Sequence, residues 1–321
     1  MKALFFDGKR LSLREIKTPR PAKGETLIQV HYAGICNTDL EIFRGYMNFK
    51  GVPGHEFVGE VIKGPAEWLG KRVVGEINLA CGKCAFCRAR LERHCPKRTV
   101  LGIAGKNGAF AEYLTLPVSN LHQVPRSVHD YEAVLVEPLA AALRILDQVP
   151  IHKDQPVWLL GDGKLAQLIA RAVRLKTKNL IMVGKHEKKL ALVKYLGIKT
   201  RLAGQLGNID PMKKPELVIE ATGDESGLAQ ALKICKPTGT IVLKSTFHAQ
   251  PRMDLSQLVV DELHLIGSRC GDFRKALKLL AQRKTHVLDM ITKVYELEDF
   301  EAAFKKAASR TALKVLFRCQ K

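Results

Sequence analysis

The first half of the chain reads as short extended segments broken by glycine and proline, with Thr26 to Tyr32 (TLIQVHY) and Gly54 to Ile62 as typical strands. From about Pro156 the texture changes. VWLLG is an unbroken apolar run, the pattern of a fully buried parallel strand. Behind it, Leu165, Leu168, Ile169, Ala172 and Val173 fall on one helical face. The cycle then repeats: an NLIMVG strand, a helix from about Glu187, a PELVIEATG strand, a helix from about Glu225, and a GTIVLKS strand. Strands alternating with helices predict a parallel, doubly wound sheet. After Gly267 the pattern predicts a helix near Phe273 to Gln282, a strand near Lys293 to Leu297, a helix near Glu298 to Ala308 and a final strand from Leu313 to Phe317. The expected layout is a β-rich domain followed by a nucleotide-binding domain over about 147 to 267. Periodicity alone leaves open which of the two the last fifty residues join.

A length of 321 residues suits two domains, each with its own core. Hydrophobic residues at 46% and charged residues at 26% are ordinary for a globular chain. No stretch reaches the roughly 18 apolar residues of a membrane span. The N-terminal apolar run breaks at Asp7, before a secretory segment could form, so a cytoplasmic location is expected. The net charge of +20 raises nucleic-acid binding. Its lysines and arginines are scattered in ones and twos, however, as at Lys188 and Lys189, Lys213 and Lys214, or Lys305 and Lys306. Aromatics are only 6%, and no stacking platform stands out. A basic surface that attracts anionic ligands is the better reading.

Eight cysteines change the picture by their positions. Cys81, Cys84, Cys87 and Cys95 follow C-x2-C-x2-C-x7-C, in which thiolates two residues apart converge on one ion through a tight turn eased by Gly82. Four sulfurs with no open position describe a structural tetrahedral zinc site. A ferredoxin-type run has a shorter fourth spacing and a second cysteine group to serve, and neither is present. The isolated Cys235, Cys270 and Cys319 fit small buried hydrophobes. Upstream, GICNTDLEI supplies Cys36, Thr38 and Asp39, and GHEFVGEV supplies His55 and Glu56. One thiolate, one imidazole and a carboxylate suit zinc with an open position, which catalysis on an alcohol oxygen requires.

In this order, GICNTDL, GHEFVGEV, the four-cysteine knuckle, VEPLA and LGDGKL resemble the zinc-containing medium-chain alcohol dehydrogenases over nearly the whole chain. The resemblance implies an α/β protein: a GroES-like β-rich catalytic domain, residues 1–146 completed by 268–321, and a Rossmann domain, residues 147–267. It implies that Cys36 and His55 are catalytic zinc ligands and that Glu56 sits beside the metal and coordinates it transiently. Glu137 is similar to the glutamate of the polyol and threonine dehydrogenase branch, where a carboxylate replaces a cysteine near the zinc. Which of Glu56 and Glu137 completes the shell stays open. Thr38 resembles the hydroxyl that receives the substrate proton, and Asp39 an acceptor that orients the histidine. Many relatives carry a histidine five residues after the cysteine ligand; Glu41 stands there, so the outer proton relay is expected to differ.

Gly161 and Gly163, with Lys164 and Leu165 after them, lie between a predicted strand and a predicted helix, the context of the dinucleotide fingerprint, with Ala166 in its third glycine position. At the end of the next strand an NAD enzyme usually carries an acid. Gly184, Lys185, His186 and Lys189 stand there instead, which predicts NADP(H) over NAD(H). Thr222 and Ser268 are expected near the nicotinamide by resemblance. The combined expectation is a zinc-dependent NAD(P) oxidoreductase of secondary alcohols (polyols, sugars or amino-alcohols), with two zinc ions per chain. The resemblance implies that zinc would lower the alcohol's pKa, with Thr38 relaying the proton and hydride passing to the nicotinamide. By resemblance the chain forms a dimer or tetramer. The alternatives are a carbonyl or activated-double-bond reductase of the same fold and, from another class, a zinc-stabilised nucleic-acid-binding or regulatory protein.

Overall fold

The computed structural model describes residues 1–207, 209–246 and 255–320. The chain divides into two compact units, Met1–Glu137 with Phe273–Lys321, and Pro138–Asp272.

The first unit is built on the ten-residue strand Glu25–Gly34, whose apolar residues Leu27, Ile28, Val30 and Ala33 are buried. It pairs antiparallel with three strands: Glu56–Lys63, Tyr113–Pro117 and Lys314–Arg318. The sheet continues outward through Arg72–Gly75 and Leu121–Gln123 on one side and Ile291–Glu296 on the other. The C-terminal strand therefore enters the middle of a sheet made by the first 137 residues, with Leu316 opposite Gly34 and Phe317 opposite Ala33. On the other flank of Gly34 stands Glu56. This double pairing puts the start of one strand and the end of another beside whatever follows Gly34 in sequence. The core includes Phe110 and Phe317, both fully buried with ring centroids 5.1 Å apart, and Phe304 edge-on to Phe110.

The second unit is a six-stranded, all-parallel sheet. Spatially its order runs Lys199–Leu202, Leu180–Gly184, Val157–Leu160, Leu217–Glu220, Thr240–Leu243, His264–Gly267. In chain order that is 3-2-1-4-5-6, the order of a doubly wound dinucleotide fold. The first strand and Leu217–Glu220 are neighbours, so the strand order reverses between them. Val157–Leu160 is buried at every position, as its continuous apolar run requires of a strand covered on both faces. The helices Lys164–Arg174, Glu187–Lys194 and Ser226–Ile234 begin close to where periodicity places them. Trp158, Val218, Leu228, Ala231 and Ile241 pack in its core. Among the described residues no helix is long and apolar enough to cross a membrane.

Phe317→Ala removes a fully buried ring from the seam strand. It should destabilise the first unit by about 3–5 kcal/mol in chemical denaturation, the usual range for a buried aromatic truncated to alanine.

Candidate active site and metal centres

Cys36 lies two residues beyond Gly34 and serves as the N-cap of the helix Asn37–Ile42. Its backbone N–H donates to Asp39 Oδ2 at 2.8 Å, which turns the chain sharply as it leaves the sheet. Glu56 opens the antiparallel neighbour strand and His55 immediately precedes it, so the pairing of Gly34 with Glu56 brings all three to one end of the sheet. A Cβ at Gly34 would lie 2.5 Å from Glu56 Oε2 and 2.9 Å from a methyl of Val134, so only glycine lets the carboxylate sit there. Ligand atoms of Cys36, His55 and Glu56 lie within 4.8 Å of one another. Asp39, His55 and Glu56 are almost wholly buried.

Thr38 Oγ1 is 3.6 Å from Cys36 Sγ, at the rim of the cluster. Asp39 Oδ1 is 3.4 Å from His55 Nδ1, close enough to act on its charge but without hydrogen-bond alignment. Burial opposes a charge on His55. The carboxylate of Asp39, with Cys36, more than offsets this and raises its pKa well above the usual imidazole range. Glu137 stands in the first turn of the helix Val136–Gln148 and is not among the converging donors, although its charge reaches Lys314. Glu41 accepts from Arg44 at 2.8 Å.

Sequence reasoning missed Lys314. Its ammonium donates to Glu56 Oε2, and both side chains are only 1% exposed. Burial pushes the Lys314 pKa down, but Glu56 and Cys36 outweigh it and the group is held charged. No local signal marks this lysine, because it arrives through a strand pairing 258 residues away in sequence. The other oxygen, Glu56 Oε1, is buried without a hydrogen-bond partner. A carboxylate oxygen left bare in a buried pocket beside a cysteine and a histidine is the environment a zinc ion satisfies. The donor set fits the metal.

In the knuckle, Cys84 caps a one-turn helix, Ala85–Arg88, and Gly82 adopts a positive φ of 72°. The sulfurs of Cys84 and Cys87 are 3.4 Å apart, Cys84 and Cys95 3.8 Å, and Cys81 and Cys87 4.0 Å. All four thiols are free of disulfides. A tetrahedral site with Zn–S bonds of roughly 2.3 Å has sulfurs roughly 3.8 Å apart, so these distances fit a closed four-thiolate cage. The backbone N–H groups of Lys83 and Cys84 pull the Cys81 thiol down to about 6. Burial, aided by Cys84, pushes Cys87 up to about 12.

In the second unit, Gly161 ends the first strand with φ at 119°, and a Cβ there would run into the Ala221 carbonyl. Gly163 is the N-cap of Lys164–Arg174 with open space where its Cβ would be. Lys164 and Leu165 form the first turn, and Ala166 is buried against the sheet. Bare glycine backbone at the mouth of a helix N-terminus is the cradle a pyrophosphate requires. The nicotinamide cofactor therefore fits this loop. Gly184 ends the next strand. Lys185 Nζ is 3.3 Å from Asp224, while Lys189 is largely buried, which lowers its pKa. His186 Nδ1 is 3.1 Å from the Asp162 carboxylate. Thr222 is held by Glu220, whose Oε1 accepts from its N–H at 2.8 Å and its hydroxyl at 2.6 Å. Ser268 Oγ lies 3.4 Å from Lys244 Nζ.

A GroES-like sheet carrying a Cys/His/Glu donor cluster, in one chain with a dinucleotide-binding sheet, defines a nicotinamide-dependent oxidoreductase. A family profile described as the alcohol dehydrogenase GroES-like domain matches residues 22–126, and one described as the glucose dehydrogenase C-terminus matches residues 131–317. The chain belongs to the zinc-containing medium-chain alcohol dehydrogenase family, whose members are NAD(P)-dependent. Sorbitol dehydrogenase of Halalkalibacterium halodurans is 27% identical over 326 residues, covering 95% of this chain and 94% of that protein. The solved rspB alcohol dehydrogenase of Escherichia coli CFT073, complexed with NADH, superposes with a TM-score of 0.92 at 25% identity over 99% of both chains. A zinc-binding dehydrogenase from Sinorhizobium meliloti 1021 bound to NADP superposes with a TM-score of 0.89 at 25% identity, covering 99% of this chain and 98% of that one.

Two outcomes follow from the first metal centre. In metal-free protein, Lys314→Met should destabilise by about 3–5 kcal/mol, because it strands the buried Glu56 carboxylate; adding Glu56→Gln should restore much of that in the same denaturation assay. Zinc needs a neutral imidazole, and His55 holds its proton to higher pH than usual, so binding there must expel it. Calorimetry in buffers of different ionisation heat should show proton release, with affinity rising as pH increases toward and through the raised His55 pKa.

Proposed function

We propose that the protein oxidises secondary alcohol groups of small polyols, sugars or amino-alcohols, with zinc at Cys36, His55 and Glu56. The observation that carries this reading is the convergence of these three donors, His55 and Glu56 buried and Cys36 partly so, with one oxygen of Glu56 bare and the other fixed by Lys314. The sorbitol-oxidising relative supports the substrate class. Zinc bound there supplies a Lewis acid that lowers the pKa of the substrate hydroxyl.

The chain's own residues do the rest. Thr38 takes the hydroxyl proton beside Cys36. Asp39 holds the Cys36 backbone and acts on the His55 ring through its charge. Lys314 fixes which oxygen of Glu56 stays available. Glu137, outside the donor cluster, tunes the field at Lys314 and takes the place of a coordinating side chain only if its helix turn shifts. Since Glu41 is paired with Arg44, the proton leaves Thr38 through water. Gly161, Gly163, Lys164 and Leu165 receive the pyrophosphate, and Thr222 and Ser268 face the nicotinamide end. Gly184, followed by Lys185, His186 and Lys189, favours NADP(H) over NAD(H). The Cys81, Cys84, Cys87 and Cys95 site holds a second, structural zinc. Residues 1–146 with 268–321 form the catalytic domain and 147–267 the cofactor domain, and the chain works in the cytoplasm as a dimer or tetramer.

A panel of polyols, sugars and amino-alcohols, assayed with NAD and NADP on metal-quantified protein, tests the reading. Turnover with a polyol or amino-alcohol and two zinc ions per chain are expected. Cys36→Ser should retain the fold and one zinc while losing at least about a thousandfold in turnover, the scale of a lost electrostatic catalyst. A folded Cys36→Ser variant with two zinc ions and full turnover would refute the proposal.

A further inference from the structure

We infer that Asp162, between the two glycines of the cofactor loop, is the positioning residue through which His186 reads the 2′-phosphate of NADP(H). The inference rests on the cofactor preference proposed above and deepens it, since that preference was assigned to the end of the second strand alone.

Three observations lead to Asp162. The first is steric. A Cβ on Gly184 would lie 2.5 Å from Asp162 Oδ2 and 2.6 Å from its Cβ. The acid that an NAD-binding fold places at this strand end cannot coexist with Asp162, in space or in charge. Gly184 is therefore a consequence of Asp162, and the two positions form one unit.

The second is hydrogen bonding. Asp162 is 7% exposed, and Oδ2 accepts the backbone N–H groups of Lys185 and His186, each at 2.7 Å. The His186 ring lies 3.1 Å from both oxygens. An ionised carboxylate only accepts, so His186 Nδ1 must carry the hydrogen. Three donors from the protein itself occupy this carboxylate. It faces the strand end it organises, with Oδ2 taking both backbone N–H groups.

The third concerns what remains available. With Nδ1 committed, Nε2 is the nitrogen that the partly exposed His186 ring can offer a ligand. A phosphate approaching Nε2 would meet a ring whose other nitrogen is already held by Asp162. The neighbouring cations are poorer candidates: Lys185 reaches across to Asp224, and Lys189 is largely buried. A ring fixed by a carboxylate behind it is pre-organised, so less freedom is lost when the phosphate arrives.

The test is equilibrium binding to the zinc-loaded enzyme, with NADPH, NADH and 2′,5′-ADP as probes. Wild type is compared with Asp162→Asn, His186→Ala and the double variant. Asparagine keeps an acceptor for the two backbone N–H groups, so the loop holds. We expect Asp162→Asn to weaken NADPH and 2′,5′-ADP by about tenfold, the scale of a charge-assisted contact, and to leave NADH within about twofold. The double variant should bind NADPH no worse than His186→Ala. Parallel loss of NADPH and NADH would reduce Asp162 to a structural role, and tighter NADPH binding by Asp162→Asn would show that the carboxylate repels the phosphate; either result overturns the inference. Wild-type protein that binds NADH more tightly than NADPH would instead refute the cofactor preference itself, and this inference with it.

Discussion

Charge balance at a largely buried cluster is the constraint on which the first unit depends. Asp39, Glu56 and, once it is a metal ligand, the Cys36 thiolate bring negative charge to one buried end of the sheet, and Lys314 answers only part of it. Isolated buried charges cost several kcal/mol each even after relaxation, so an excess of this kind persists only beside a compensating cation. A divalent metal at the bare oxygen of Glu56 supplies that compensation. The same excess explains why the metal-free pocket keeps a proton on His55 despite its complete burial. Proton and metal are alternative answers to one electrostatic problem.

The fold solves the accompanying geometric problem with one strand seam. Glu25–Gly34 is paired on both flanks at its C-terminal end, with Glu56 on one side and Leu316 on the other. Cys36 leaves the sheet just past this point. Glu56 and the lysine are thus positioned by backbone ladders, His55 immediately precedes Glu56, and Cys36 is set by a tight helical turn, so none depends on a long loop. The second unit follows the same economy. Its strand order reverses between the first and fourth strands, and the glycine loop, Thr222 and Gly184 all lie at the carboxyl ends of these parallel strands and the second one, where open α/β sheets bind ligands.

Much of this was legible in the sequence wherever chemistry is local. The knuckle spacing placed four sulfurs within reach of one ion, and the structure brings them to 3.4–4.0 Å in the three measured pairs. The alternation of apolar runs and helical faces after Pro156 marked the parallel sheet. Cys36, His55 and Glu56 were legible as types, and the sheet end unites them. What the sequence hid is non-local. Lys314 meets Glu56 only because the final strand is inserted beside Gly34, and nothing in KVLFR announces a buried cation. Glu137 looked interchangeable with Glu56 in one dimension, but only Glu56 lies on the strand that pairs with Gly34. Asp162 occupied a position the dinucleotide fingerprint treats as variable, so its contact with the next strand end was invisible until both strands were laid side by side.

The central claim is that one buried cation completes the pocket of Cys36, His55 and Glu56. Anomalous diffraction at the zinc edge, from crystals of zinc-replete protein, tests it most directly. The account predicts two peaks per chain: one within the four knuckle sulfurs, the other among Cys36 Sγ, the His55 ring and Glu56 Oε1. A single peak at the knuckle, with Glu56 still clasped by Lys314 and its second oxygen bare, would contradict it.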